Sequence, residues 1–166
     1  MTLNIASYSD DWRAQLLSSF AHTPFSLWCG AREIRLESVE GFWQGLKFSE
    51  GSAARERIFA LWGLDAKRAG ANASPIETVG FCGERIEVGS PRHHQLAEKA
   101  MRAKLDQNPD VRRALLATAG LRLTHELVDE TGGPVPDSLT LPASVFCAIW
   151  TRLRQEALDE EAAKRD

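Results

Sequence analysis

Apolar positions along this chain follow two periods, and the changes between them mark the elements. Phe25-Ser26-Leu27-Trp28 and Ala31-Arg32-Glu33-Ile34-Arg35-Leu36 alternate on either side of Cys29-Gly30. Two short alternating runs around an X-Gly pair predict a β-hairpin, because Gly accepts the positive φ that the turn demands. Before it, Trp12 to Phe20 mixes apolar and polar residues and is either a short helix or an irregular lead-in. After it, Val39, Phe42, Trp43 and Leu46 keep a helical period behind the capping residue Ser38, which predicts a helix over residues 38–48.

A second helix is expected from Ser52 through Ile58, Phe59, Leu61 and Trp62 to a stop at Gly63. A brief third, Asp65 to Ala69, is expected to end on Gly70 as its C-terminal glycine. Residues 71–90 are the least regular; within them Gly80 to Val88 is either a second small hairpin or an extended loop. Ser90-Pro91 and Asn108-Pro109-Asp110 both read as helix starts, with a capping side chain ahead of a proline that needs no hydrogen-bond partner. They open helices to about Gln107 and Thr118. Leu121 to Leu127 alternates as a strand, 129–140 is a turn-rich loop, and a last helix runs from Pro142. Beyond Glu156 it becomes the polar LDEEAAKRD, expected as a solvated, fraying end. The architecture expected is α+β and mostly α, a single domain over 1–156 followed by a solvated helix end or tail over 157–166.

Composition narrows the class. A chain of 166 residues with 43% apolar and 26% charged residues has enough apolar material for a core. No run approaches the ~20 apolar residues that span a bilayer, so no membrane is expected. The opening MTLNIASYSDDW lacks a basic stretch followed by an apolar one, so no secretory leader is expected. A net charge of −3 gives no global electrostatic reason to bind nucleic acid. Cys29, Cys82 and Cys147 are widely spaced and odd in number, which predicts three buried thiols in a cytoplasmic protein and no disulfide framework.

Phosphate loops, zinc-protease motifs, nucleophile elbows and paired Cys/His spacings are all absent. His93 and His94 point about 100° apart on a helix and are expected on its surface rather than as metal ligands. His125 falls on the apolar side of its strand, where a hydrogen-bonded core histidine is the ordinary occupant and a catalytic one the alternative. Arg102, Lys104, Arg112 and Arg113 are interrupted by Asp106 and Asp110 and read as a solvated face. Glu40 is the most informative residue. Its carboxylate either complements the helix dipole or, with Gln44 and Lys47 at i+4 and i+7, lines one face with an acid, an amide and an ammonium. Phe42 or Trp43 on that face would cover a flat ligand.

Ser38-Val39-Glu40 through Gln44 to Lys47-Phe48 resembles the S-x-E-H-x-x-Q-x-x-K-F signature of the NADAR, or YbiA-like, family. Leu17-Ser18-Ser19-Phe20 with Pro24-Phe25 resembles its L-S-N-F-x-x-x-P-F opening, and Ala66 to Gly70 its A-x-x-x-G segment. Ala100 to Leu105, Leu115 to Thr118 and Leu123 are similar to its paired helices and following strand, so the resemblance covers about residues 16–154.

The resemblance implies a compact YbiA-like α+β domain and N-glycosidase activity on riboflavin-pathway intermediates or on ADP-ribose-linked substrates. It makes Glu40 the essential carboxylate. Breaking a ribosyl C–N bond develops oxocarbenium character, which a fixed carboxylate stabilises while it orients or deprotonates water. Lys47, with Lys67 or Arg68, would hold phosphate, and Phe20, Phe42 or Trp43 would stack on a base. Ser19 and Gly70 lie in the matching segments.

The chain departs from the family pattern at Gly41 (usually His), Ser19 (usually Asn), Ala71 (usually Arg) and His93 (usually Trp). The D-x-x-W-G-x-G and G-x-N-x-L-G stretches are replaced by Asp129 to Pro134 and Leu141 to Cys147. His125 stands at the family's late Glu, so His125, Glu126 or Asp129 would protonate the leaving base. The expectation is thus an N-glycosidase that uses no cofactor and no metal. Its partners would be small ribosylated nucleotides or bases, with ADP-ribosylated nucleic acid a further candidate. The alternative is an inactive nucleotide-binding or protein-interaction domain.

Overall fold

The structure is a computed structural model describing residues 1–166. In chain order the elements are β1 (Thr2–Asn4), α1 (Trp12–Leu17), β2 (Phe25–Cys29), β3 (Arg32–Leu36), α2 (Val39–Gly45), α3 (Ala53–Phe59) and α4 (Gly63–Ala71). They continue with β4 (Thr78–Phe81), β5 (Glu84–Glu87), α5 (Pro91–Gln107), α6 (Pro109–Leu116), β6 (Arg122–Thr124) and α7 (Ala143–Lys164). With 46% helix and 16% strand this is the α+β, mostly helical class expected. No helix is long and apolar enough to cross a membrane. The chain divides into two compact units, Ser19–Asn108 and the union of Met1–Ser18 with Pro109–Asp166.

In the unit of the termini, β1 pairs parallel with β6, Leu3 opposite Leu123. A three-residue strand carries no periodic signal, and β1 was not expected. The late strand is shorter than its alternation suggests because Asn4 takes over the pairing: its side chain accepts from Glu126 N–H at 2.7 Å and donates to Glu126 C=O at 2.8 Å. Helices α1, α6 and α7 bury Leu17, Val111, Leu115, Phe146, Ile149 and Leu153 around Trp150, whose indole N–H donates to Leu17 C=O. Asp137 starts α7 by accepting from Ala143 N–H at 2.8 Å, the service Pro142 cannot perform. The polar tail is helical to Lys164 rather than frayed. Ala157 is buried, and Arg112 binds Glu160 and Glu161, both at 3.0 Å.

In the unit Ser19–Asn108 the expected hairpin is present, β2 antiparallel to β3 with Phe25 opposite Leu36 and Leu27 opposite Ile34. The irregular stretch resolves into a second hairpin, β4–β5, with Val79 opposite Ile86. Helix α2 is central, packed against α3, α4 and α5. Two glycines do other work than expected. Gly63, at φ +58°, opens α4 instead of ending the helix before it. Gly70 lies inside α4 rather than at its end, because the Gln44 side chain occupies the space a Cβ would need.

The cysteine expectation is overturned. The β2–β3 register puts Cys29 at the end of its strand and the β4–β5 turn carries Cys82, their Cα atoms 5.2 Å apart and their sulfurs bonded. Only Cys147 is free, and burial pushes its thiol up to about 11. The basic cluster is also not uniformly solvated. Lys104 is fully buried on α5, which pushes its ammonium down to about 7.

Candidate functional site

The site begins with a cap. Ser38 Oγ accepts from Gly41 N–H at 2.8 Å and donates to Leu61 C=O at 2.9 Å, which starts α2 and ties it to the segment before α4. Gly41, where the resemblance leads one to expect His, is forced by this contact: a Cβ there would stand 2.6 Å from Leu61 O. One residue earlier, Glu40 N–H donates to Ser19 C=O at 3.0 Å. Ser19 Oγ then donates to Glu40 Oε2 at 3.2 Å, and Gln44 Nε2 donates to Oε1 at 2.8 Å. The half-buried carboxylate is therefore oriented by two neutral donors, so its negative charge is fixed in direction without being cancelled in an ion pair.

The i+4 and i+7 spacing holds. Gln44 bonds Glu40, and its amide fits because Gly70 has no side chain; Gln44 Oε1 is buried and has no partner. Lys47 Nζ donates to Gly70 C=O at 3.3 Å. Burial pushes the Lys47 ammonium down, and the Glu40 charge opposes that shift. Acid, amide and ammonium thus share one face with the α4 glycine. Lys67 and Arg68 are exposed on α4, and Phe20 is half-buried beside Ser19.

The aromatic expectations need correction. Phe42 is fully buried, edge-on to Phe81 at 5.3 Å and near Phe59 at 6.0 Å, so it offers no surface to a ligand. Trp43 is stacked on His93 at 4.0 Å. His93, expected on a helix surface, is only 3% exposed. Gly89 N–H donates to its Nδ1 at 2.9 Å, which places the proton of the neutral ring on Nε2. Burial, with a smaller contribution from His94, lowers its pKa to about 4. Adjacent histidines carry no sign of this; the Ser90-Pro91 start, which fixes the helix phase, is the signal the sequence holds.

The remaining candidates lie in the unit of the termini. His125 donates from Nδ1 to Ile5 C=O at 2.7 Å and packs on Phe146 at 4.7 Å, the hydrogen-bonded histidine of the ordinary reading. Glu126 is exposed. Asp129 Oδ1 accepts from Thr131 Oγ1, Thr131 N–H and Gly133 N–H. These bonds, the Thr131 hydroxyl first, hold its carboxyl below the usual range. An aspartate kept ionised by its own turn is a poor proton donor, so Asp129 does not fit the role of leaving-group acid.

Sequence reasoning missed one feature altogether. His22 and Trp62 stack at 4.0 Å with 7° between their planes, and His22 Nε2 donates to Glu37 Oε2 at 3.0 Å. Forty residues separate the two rings, and no local pattern joins them.

The sequence pattern of the family described as bacteriophage protein GP30.3 matches residues 11–155. The chain belongs to that family. Among solved structures, the Escherichia coli protein YbiA, determined by NMR, is similar to this chain with a TM-score of 0.64 and 24% identity, covering 97% of this chain and 87% of that one. The likeness shows that the fold is YbiA-like, as the sequence led one to expect. A comparison with curated proteins finds no match.

Proposed function

We propose that this GP30.3-family protein is a divergent NADAR-type N-glycosidase that hydrolyses the C–N bond between a ribosyl group and a nitrogen heterocycle. One observation carries the reading: the Glu40 carboxylate is held from two sides by the neutral donors Ser19 and Gln44. A preorganised carboxylate suits a sugar that becomes cationic as its anomeric bond lengthens. Water adds to the anomeric carbon as the C–N bond breaks. Glu40 takes the water's proton, and the departing nitrogen carries away a proton in the net reaction. Lys47, anchored on the Gly70 carbonyl, supplies positive charge for the phosphate of a ribose phosphate or ADP-ribose. The YbiA-like fold supports the same reading.

The test is product release. Purified protein is incubated separately with ribosylated riboflavin precursors, NAD, ADP-ribose and ADP-ribosylated DNA, and free base and free sugar are followed by chromatography. Wild type releases base from one of them, and Glu40→Gln releases none while melting normally. Tight binding without any release would instead leave a nucleotide-binding domain.

A further inference from the structure

The proposed reaction needs a surface that holds a flat ring, and the aromatics of the Ser19–Asn108 unit narrow the choice. Phe25, Phe42, Phe59 and Phe81 are core residues, and Trp43 has a ring face covered by His93. Phe20 and Phe48 are half-buried, and Trp28, 50% exposed, stands on β2 next to Cys29; Trp62, 47% exposed, instead lies parallel to His22. It also occupies the N-cap position of α4 without making a capping hydrogen bond, so starting the helix does not explain a tryptophan there.

Its backbone sits beside the Glu40 cradle. Leu61, just before it, accepts from the Ser38 cap of α2. A Cβ at Gly63, just after it, would lie 3.7 Å from Phe20 O. Phe20 follows the serine that bonds Glu40, and His22 is three residues from that serine, at most ~11 Å along the chain. Glu37, which fixes the His22 ring, precedes the same cap.

We propose that the Trp62–His22 pair is the base platform of this site, on which a heteroaromatic ring of the substrate stacks as a third layer on the open face of Trp62. The inference rests on the ribosyl-bond reading for its chemistry, and it deepens that reading by making the base, and not the sugar phosphate alone, a recognised part of the ligand. Glu37 holds the imidazole parallel to the indole, so the flat surface exists before the ligand arrives.

Calorimetric titration of the Glu40→Gln protein compares two probes that differ only in the ring, AMP and ribose 5-phosphate. AMP binds more tightly than ribose 5-phosphate. Adding Trp62→Ala weakens AMP about 5- to 150-fold, the range for one base–aromatic stack, and leaves ribose 5-phosphate within twofold. Trp62→Phe, which keeps a flat ring, recovers most of the loss and guards against a folding artefact. Equal affinity for the two probes, or AMP binding indifferent to Trp62→Ala, overturns the platform. Failure of the ribosyl-bond reading looks different. Protein with Glu40 intact then releases no base from any substrate, while the AMP preference and its dependence on Trp62 persist and still support the platform.

Discussion

Joining Cys29 to Cys82 closes a loop with a sequence separation of 53 that contains Glu40, Gln44, Lys47 and Gly70. Opening that loop is a quantitative test of the fold. In the loop-closure account, a bond of this span removes enough entropy from the unfolded chain to be worth about 4 kcal/mol at 25 °C. For a chain of this size each kcal/mol corresponds to about 2–4 °C in Tm, so Cys29→Ser with Cys82→Ser should lower Tm by about 8–16 °C. Differential scanning calorimetry measures this directly. Wild type in excess dithiol should reproduce the double variant's Tm, and dithiol should leave the double variant unmoved. The hairpins have their own apolar anchors in Phe25, Leu27, Val79 and Phe81, so the double variant should keep native circular dichroism below its transition. A Tm within 2 °C of wild type, with the bond verified by mass spectrometry, would refute the reasoning and mean that the unfolded chain does not gain the freedom assigned to it.

Three other outcomes follow from single groups. Gly70→Ala puts a methyl group into the Gln44 amide, which must leave Glu40; a stability loss of about 1–3 kcal/mol by chemical denaturation should accompany a fall in any ribosyl-hydrolase rate, and unchanged turnover would detach Gln44 from the mechanism. His93 is neutral in the folded state down to about pH 4, whereas in the unfolded chain it takes up a proton below about 6.5, so it contributes stability that is lost as pH falls from 6.5 toward 4. Its share is up to ~3 kcal/mol, and His93→Phe should flatten that part of the denaturation profile. Lys104, lowered to about 7 by burial, gives the opposite end of the profile: the unfolded chain holds the extra proton between about 7 and 10.5, so stability should rise with pH there, and Lys104→Met should abolish the slope.

Local physics was legible in the sequence, and contact across the chain was not. The Ser38 cap, the Gly turn between β2 and β3 and the Ser90-Pro91 start each depend on residues within four positions of one another, and all three form where expected. The i, i+4, i+7 set on α2 is of the same kind and holds the acid, amide and ammonium of the proposed site together. Misses such as Gly63 opening α4 are local, but the ones that bear on the site involve a distant partner. Cys29 meets Cys82, Gly41 meets Leu61, Gly70 meets Gln44, and His22 meets Trp62, and in each case the residue type makes sense only once the second chain segment is in place. The same distinction explains why departures from the NADAR pattern need not mean decay. Gly41 in place of His is demanded by the close approach of Leu61, so a His at this position would displace the segment that carries Trp62. A substitution compelled by neighbouring backbone is explained by packing, and Ser19, in place of the usual Asn, donates to Glu40. The proposed acid therefore keeps two neutral donors although the chain departs from the family pattern at Ser19 and at Gly41 beside it.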